Sequence, residues 1–354
     1  MRLIYKTGTA LLRRLPAETA HMTTIRLLKG GLGPSGNPVS RPELHTSIGG
    51  LNLPNPVGLA AGFDKNADVP DAMLGAGFGF VECGTVTPRP QAGNPKPRLF
   101  RLPDHDAVIN RMGFNNGGLD MFAERLRRRQ GRPGIVGANL GANKDSDDRI
   151  ADYVEGLSRL WGLSDYFTIN ISSPNTPGLR KLQASDAMDA LLDRIAETRS
   201  RLAADGDNYP VFLKVAPDLE ESDVPRVVEQ VRTYALDAII ISNTTIDRPA
   251  EIDARWADEA GGLSGQPLFD KSTRLLSQFH DATRGQIDLI GVGGVGSGAQ
   301  AYAKIRAGAK AVQLYSALVF HGPQLVRTIC DDLSARLTAD GFTSISEAVG
   351  TGQV

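Results

Sequence analysis

Eight short apolar segments recur along the chain from about residue 55 onward, and longer segments with helical patterning separate most of them. Most of the short segments are nearly continuous runs of Val, Ile, Leu and Ala, which is typical of parallel strands covered on both faces. The clearest predicted helix covers residues 186–202, where Leu192 and Ile195 recur at helical spacing. We predict strands at 55–60, 80–86, 134–140, 166–172, 211–217, 238–244, 289–294 and 311–316.

Eight β/α units over about 300 residues predict a (β/α)8 TIM barrel with an N-terminal helical extension. An open doubly wound sheet is the alternative, but its functional residues would cluster at one switch point. Two connections are unusually long, at 87–133 and 245–288. Long loops in a compact fold tend to be lids or binding segments, so we expect both connections to contribute to function.

Residues 1–45 form a separate segment ahead of the predicted barrel domain at 46–354. Apolar residues on both sides of Pro16 predict two short amphipathic helices, and a Gly/Pro-rich linker follows at 30–38. Residues 1–30 carry six Lys or Arg residues and one Glu, a local charge of +5. The helices could pack on the barrel as a hairpin, but their charge favours a position on an anionic lipid surface.

The composition is that of a globular protein, with 354 residues of which 41 % are hydrophobic and 22 % charged. The net charge of -1 gives no reason to expect a nucleic-acid partner. The two cysteines, Cys83 and Cys330, form no CxxC pair, which favours core thiols in a reducing compartment. No apolar run approaches the roughly 20 residues that span a bilayer, and the N-terminus lacks the pattern of a secretory signal.

A dense polar cluster, Asn170 to Gly178, lies at the exit of the predicted strand at 166–172. Its amides and hydroxyls could bind a planar polar ligand and move a proton, although Asn, Ser and Pro also form ordinary capped turns. A hydrolase nucleophile at Ser173 is disfavoured because no G-x-S-x-G elbow surrounds it. The five histidines lie away from the strand ends and show no metal-ligand spacing, so we expect no metal site.

Polar or small residues lie at or near the carboxyl ends of all eight predicted strands, and in a TIM barrel such positions face the active site. The segment Gly291 to Gly296 fits a phosphate-binding loop after strand seven, and it also matches the G-x-G-x-x-G pattern of Rossmann folds. The Rossmann interpretation is weak because no acidic residue occurs between Asp288 and Asp331 to bind a ribose hydroxyl, so the monophosphate of FMN fits better.

Lys214 lies within an apolar predicted strand, where a cation is costly unless it faces a ligand or a counter-charge. One interpretation is a buried structural ion pair. The other is a fixed positive charge beside the anionic part of a reduced flavin ring. The sequence leaves both open.

Seven motifs in chain order complete the pattern: Ala60-Ala61-Gly62-Phe63-Asp64-Lys65, 84–90, 110–116, Asn170 to Gly178, 242–245, 261–265 and Gly291 to Gly294. With these motifs, nearly the whole chain closely resembles the dihydroorotate dehydrogenase family, specifically its membrane-associated, quinone-dependent class 2 members. Ser173 indicates the class, because class 1 members carry a cysteine there and lack the N-terminal extension.

The resemblance implies an FMN-dependent enzyme of pyrimidine biosynthesis that oxidises dihydroorotate to orotate and passes electrons to a membrane quinone. It makes Ser173 the base that removes a proton from C5 of dihydroorotate while hydride leaves C6. The implied substrate residues are Lys65, Asn110, Arg111, Met112, Gly113, Phe114, Asn170, Asn175, Asn243 and Thr244. The implied FMN residues are Ala61, Gly62, Phe63, Asp64, Lys65, Thr85, Asn139, Asn170, Lys214, Ser242, Gly265, Gly294, Tyr315 and Ser316. The implied quinone residues are His21, Arg101 and Tyr315.

Ser242 departs from the family pattern, in which threonine is usual, but a hydroxyl is retained. The resemblance also implies a peripheral location on the cytoplasmic face of a bacterial inner membrane, and we expect a monomer. Three alternatives are kept: a soluble class 1-like enzyme using fumarate or NAD, a non-redox barrel lyase or isomerase, and a catalytically silent membrane adaptor. The complete set of polar strand ends argues against the adaptor.

Overall fold

The computed structural model describes residues 2–176, 178–183, 185–204 and 206–352. The strands in these residues are β1 (Thr46–Ile48), β2 (Leu51–Leu53), β3 (Val57–Leu59), β4 (Phe80–Val86), β5 (Leu99–Leu102), β6 (Ala107–Asn110), β7 (Ile135–Leu140), β8 (Tyr166–Asn170), β9 (Val211–Val215), β10 (Ala238–Ile241), β11 (Gly262–Gly265), β12 (Asp288–Val292) and β13 (Ala311–Leu314). The α-helices are α1 (Arg2–Leu12), α2 (Ala17–Lys29), α3 (Pro70–Ala76), α4 (Gly118–Arg129), α5 (Arg149–Leu160), α6 (Ser185–Ala203), α7 (Val224–Thr233), α8 (Ala254–Ala257), α9 (Phe269–Thr283), α10 (Gly298–Arg306), α11 (Ser316–His321), α12 (Leu325–Asp340) and α13 (Ile345–Ala348).

Eight parallel strands close into a barrel in the order β3, β4, β7, β8, β9, β10, β12, β13, and β13 pairs with β3. The predicted TIM barrel is therefore confirmed, and each predicted strand segment overlaps one barrel strand. β4 has the predicted bounds, and most of the other barrel strands end earlier than predicted because the chain leaves the ladder at their carboxyl ends to form loops. Parallel pairing brings all of these ends to one face of the barrel.

The barrel core has an inner and an outer apolar layer. Inside the barrel, aromatic rings fill the space between strands, with Tyr166 stacked on Phe212 at a centroid distance of 4.8 Å. Glycines make room for these rings, since a Cβ atom on Gly137 would lie 2.1 Å from the Tyr166 ring. The outer layer packs the strands against the helices and contains both cysteines, which are buried free thiols, as predicted.

A hairpin of β1 and β2 precedes the first barrel strand and closes the amino-terminal end of the barrel. Ile48 and Leu53 pack into the inner layer, and the Gly49 amide donates a hydrogen bond to Asp288 at 2.8 Å. The sequence analysis did not predict this hairpin, because three-residue strands leave too short a pattern to recognise.

The two long connections form a second sheet on the opposite end of the barrel. In this three-stranded antiparallel sheet, β6 lies between β5 and β11, and Asn110 pairs with both Leu99 and Gly262. Backbone hydrogen bonds between Thr245 and Leu263 join β11 to the exit of β10. We predicted two functional connections but not their strands.

Two helices precede the barrel and meet at Pro16, as predicted. An ion pair between Glu18 and Arg98, at 2.8 Å, ties α2 to the segment before β5. Large apolar side chains of this region remain exposed to solvent, namely Leu11, Leu15, Met22, Leu27 and Leu32. Within the described ranges, no helix combines the length and the apolar character needed to cross a bilayer.

We expect Gly137→Ala to lower the free energy of unfolding by about 1–3 kcal/mol, because the added methyl overlaps the buried Tyr166 ring. Chemical denaturation of the full chain measures the change. Gly206→Ala is the matched control, since no atom lies within 4 Å of its Cβ position. Equal stability of the two variants would contradict this account of the inner layer.

Candidate active site

One cavity of about 680 Å³ lies at the carboxyl ends of the barrel strands and continues to the inner faces of α1 and α2. Most of the residues that the sequence analysis singled out border it. They are His21, Ala61, Gly62, Phe63, Lys65, Thr85, Arg101, Asn110, Met112, Gly113, Phe114, Asn170, Ser173, Asn175, Lys214, Ser242, Asn243, Thr244, Gly265, Gly294, Tyr315 and Ser316. Pro177 of the predicted polar cluster lies outside the described residues.

Three further candidates do not border this cavity, because their side chains hold neighbouring segments. Asp64 is buried and accepts hydrogen bonds from the amides of Asp68 and Val69, so it fixes the turn that carries Lys65. Burial raises the pKa of the Asp64 carboxyl. Arg111 forms an ion pair with Glu259 beside the second sheet, which is formed by β5, β6 and β11.

Asn139, the third of these residues, lies beneath the cavity in a buried polar network. Its Oδ1 accepts from Asn170 Nδ2 at 3.0 Å and from Thr85 Oγ1 at 2.5 Å, and its Nδ2 donates to Glu82 at 2.7 Å. Asn139 therefore acts on the cavity through Asn170 and Thr85, which do border it.

Glu82 anchors this network from inside the barrel. Besides Asn139, its carboxylate accepts hydrogen bonds from Tyr166, Thr168 and Gln313, at 3.3, 3.1 and 2.9 Å. Glu82 was not among the predicted site residues, although it shows the same signal as Lys214, a charged residue inside an apolar strand.

The Lys214 side chain borders the cavity and is only 4 % exposed. Its register places it between Asn170 of β8 and Ile240 of β10. Burial lowers the pKa of the Lys214 ammonium, and the charge of Glu82 opposes that shift. Among the described residues its ammonium forms no hydrogen bond and no ion pair within 4.0 Å, which favours a bound ligand over a structural ion pair.

Ser173 follows β8 and borders the same cavity. Its hydroxyl oxygen accepts a hydrogen bond from the Asn175 amide at 3.2 Å, and the Asn175 side chain donates to Asn110 at 3.2 Å. Across the cavity mouth, Asn243 donates to Ser172 at 2.9 Å. The Thr244 hydroxyl is buried without a partner among the described residues, so a ligand could take it up.

Arg180 connects the loop after β8, which carries Ser173, to the loop after β10, which carries Thr244. Its guanidinium donates to the carbonyls of Ser172 and Thr244, both at 3.0 Å, and to Asp218 at 2.7 Å. Lys271 also pairs with Asp218, at 2.6 Å. No sequence signal predicted these contacts of Arg180, because the residues involved are far apart in the chain and show no motif.

At one end of the cavity, the loop after β12 presents backbone rather than side chains. Gly293 and Gly294 have positive φ angles of 105° and 72°, and a Cβ atom on Gly294 would lie 2.4 Å from Phe269. Gly296 and Ser297 continue this lining. Exposed amides at such a glycine loop suit a phosphate group.

At the other end, the rings of His21, Phe63 and Tyr315 meet below α2, with centroid distances of 5.5 to 6.2 Å. The Tyr315 hydroxyl lies 3.4 Å from His21 Nδ1. Burial, aided by the charge of Lys65, lowers the pKa of His21 to about 3, so the imidazole is neutral near pH 7. Arg101 donates to the carbonyl of Leu15 and thereby holds the turn between the helices.

Comparison with known proteins identifies the family. The family model described as "Dihydroorotate dehydrogenase" matches residues 43–337. The chain belongs to the dihydroorotate dehydrogenase family. A protein of Xanthobacter autotrophicus named "Dihydroorotate dehydrogenase (quinone)" is 53 % identical over 352 residues, covering 98 % of each chain. A protein of the same name from Azorhizobium caulinodans is 54 % identical over 336 residues, covering 94 % of each chain.

Solved structures agree with this dihydroorotate dehydrogenase assignment. The crystal structure of DHODH from Eimeria tenella in complex with ferulenol has a TM-score of 0.90 and 39 % identity. The alignment with that structure covers 94 % of the present chain and 95 % of the Eimeria tenella chain. The resemblance to class 2 inferred from the sequence is confirmed, and the chain is an oxidoreductase of the flavin-dependent dihydroorotate dehydrogenase type.

Proposed function

We propose that this chain oxidises dihydroorotate to orotate, with FMN as resident cofactor and a membrane quinone as electron acceptor. One observation carries the proposal: Ser173, Lys214 and the inner faces of α1 and α2 border a single cavity. A dehydrogenase that also reduces an apolar acceptor needs such a connection between a polar substrate pocket and an apolar entrance.

The amides near Ser173 suit the pyrimidine. Asn110, Asn175 and Asn243 offer both donors and acceptors for its ring, and Lys65 offers a positive charge for its carboxylate. Ser173 would take the proton from C5. No acidic side chain or histidine hydrogen-bonds its hydroxyl among the described residues, so the Asn175 amide and water would have to assist proton loss.

The cavity also fits FMN. The buried ammonium of Lys214, without a hydrogen-bond partner among the described residues, would face the ring, and the loop at Gly293 and Gly294 would hold the phosphate. Asn170 and Thr85, fixed from below by Asn139, would position the ring edge. When bound, FMN supplies the two-electron acceptor for the hydride from C6.

The apolar entrance supports quinone binding. The neutral imidazole of His21, the hydroxyl of Tyr315 and the guanidinium of Arg101 would bind the quinone head at its inner end. The exposed apolar side chains of the N-terminal helices, together with their basic residues, support a peripheral position on an anionic membrane. The family resemblance implies the cytoplasmic face. The chain is expected to act as a monomer.

We predict that Ser173→Ala abolishes steady-state turnover, with a loss of at least roughly 100-fold, because the base for C5 is removed. FMN should stay bound, and the yellow absorbance of the purified variant measures this. Ser173→Cys is the matched variant, since a cysteine thiolate can accept the proton, and it should retain part of the activity. Unchanged turnover of Ser173→Ala would refute the assignment of the base.

We predict that deleting residues 1–38 weakens quinone reduction and lipid binding, because the apolar entrance and the exposed apolar side chains are lost. Flotation with anionic liposomes and reduction of a long-chain quinone measure the two effects. Reduction of a small soluble dye is the control and should persist. Equal quinone reduction by the truncated chain, or electron transfer to fumarate or NAD instead, would oppose the membrane-quinone assignment.

We predict that orotate binding weakens as pH rises above about 8. Burial is the main cause that lowers the pKa of Lys65 to about 8, and only its protonated form attracts the carboxylate. The affinity should fall by up to about tenfold per pH unit, as measured from the flavin absorbance on titration. Lys65→Met should bind orotate more weakly and without this pH dependence, whereas an unchanged profile in that variant would exclude Lys65 as the cause.

A further inference from the structure

A second buried lysine lies outside the barrel and borders no part of the cavity. Lys304 is on α10 and has no exposed surface. Burial lowers the pKa of its ammonium to about 7, while Asp270 opposes that shift. Across the described residues no carboxylate lies within 4.0 Å of its Nζ atom. A buried cation without a close counter-charge is costly, so its position calls for a physical reason.

The contacts of Lys304 lead to the glycine loop. Its Nζ donates to the hydroxyls of Ser272 and Thr273, at 2.8 and 3.0 Å, and lies 5.2 Å from the centre of the Phe269 ring. The Ser272 hydroxyl lies 3.2 Å from the carbonyl oxygen of Gly293 and 3.1 Å from that of Phe269, and it can donate its one proton to either. The lysine therefore reaches the backbone of the loop through one hydroxyl.

The glycines allow this close arrangement. A Cβ atom on Gly293 would lie 2.8 Å from Ser272 Oγ, and one on Gly291 would lie 3.0 Å from the Lys304 stem. Because the Gly293 carbonyl faces the hydroxyl of α9, it is held away from a ligand in the cavity. The adjacent amides are then free to face that ligand.

At this end of the cavity no cationic side chain among the described residues comes from the loop after β12 or from the start of α11, and the acidic Asp106, whose carbonyl accepts from the Gln266 amide, borders the same cavity. The stretches that line it, 293–297 and 316–318, are uncharged. The lysines and arginines that do border the cavity, Lys65, Lys214, Arg13 and Arg101, belong to other segments. Lys304 is thus a cation placed directly behind an uncharged anion-binding loop.

We propose that Lys304 is a positioning residue for the phosphate group of the flavin. It holds Ser272, and through it the Gly293 carbonyl, and it adds a positive charge behind the amides that bind the phosphate. The inference rests on the proposed function, because it takes FMN to be the occupant of the loop. It concerns the phosphate alone and not the isoalloxazine ring.

Comparing FMN with riboflavin tests the inference, because riboflavin has the same ring without the phosphate. Dissociation constants for both are measured by flavin fluorescence, on the full chain after reversible removal of its flavin. Lys304→Met should weaken FMN binding roughly tenfold, the scale expected for one charge acting over several ångströms in a protein, and leave riboflavin binding within about twofold. Lys310→Met is the matched control, since Lys310 pairs with Asp288 at the far end of β12, and both ligands should bind it as before.

The outcomes separate the two proposals. An equal loss of both ligands in Lys304→Met, or no loss of either, would overturn the role of Lys304. A parent chain that binds neither flavin would overturn the proposed function instead. If Lys304→Met does not fold, Ser272→Ala is the deciding variant. It keeps the charge of Lys304 but breaks the link to Gly293. It should weaken FMN binding by less than tenfold and leave riboflavin binding unchanged. Unchanged preference for FMN over riboflavin in Ser272→Ala would then count against the inference.

Discussion

The carboxylate of Glu82 is the interaction on which the polar end of this barrel depends. It is completely buried inside the barrel, and it accepts hydrogen bonds from β7, β8 and β13. A buried carboxylate is tolerated only when its oxygens are satisfied, so the donors Asn139, Thr168 and Gln313 must keep their positions. Because Asn139 in turn orders Asn170 and Thr85, one buried charge fixes part of the active-site floor.

Two buried lysines lie on different sides of the barrel wall. Lys214, only 4 % exposed, faces the cavity from inside the barrel, and the negative charge of Glu82 partly offsets its burial. Lys304 is buried outside the barrel, behind the glycine loop. Each lysine lies where an anionic part of one ligand could balance its charge. Without the ligand, burying these ammonium groups costs free energy, and ligand binding can offset that cost.

Contacts between residues that are far apart in the chain hold the remaining parts of the site at the carboxyl ends of the barrel strands. Arg180 connects the loops after β8 and β10 through their carbonyl oxygens. The second sheet, formed by β5, β6 and β11, brings Asn110 beside Asn175. At the entrance, α2 places His21 against Phe63 and Tyr315, so an apolar passage meets the polar pocket. Two kinds of surface therefore share one cavity, which suits an enzyme that links a polar substrate to an apolar electron acceptor.

The sequence by itself determined the barrel, the two N-terminal helices and the polar residues at the strand ends, because strand and helix periodicity and polar strand ends are local signals. The other residues around the cavity were implied by the resemblance to the family. The sequence identified Lys214 by its apolar neighbours but could not say whether an ion pair or a ligand balances it. Tertiary structure alone decided that Asn139 acts through Asn170, that Arg180 joins two loops, and that Ile48 closes the barrel. These outcomes depend on which distant residues meet when the strands close into a ring, and that register is a property of packing rather than of any short segment.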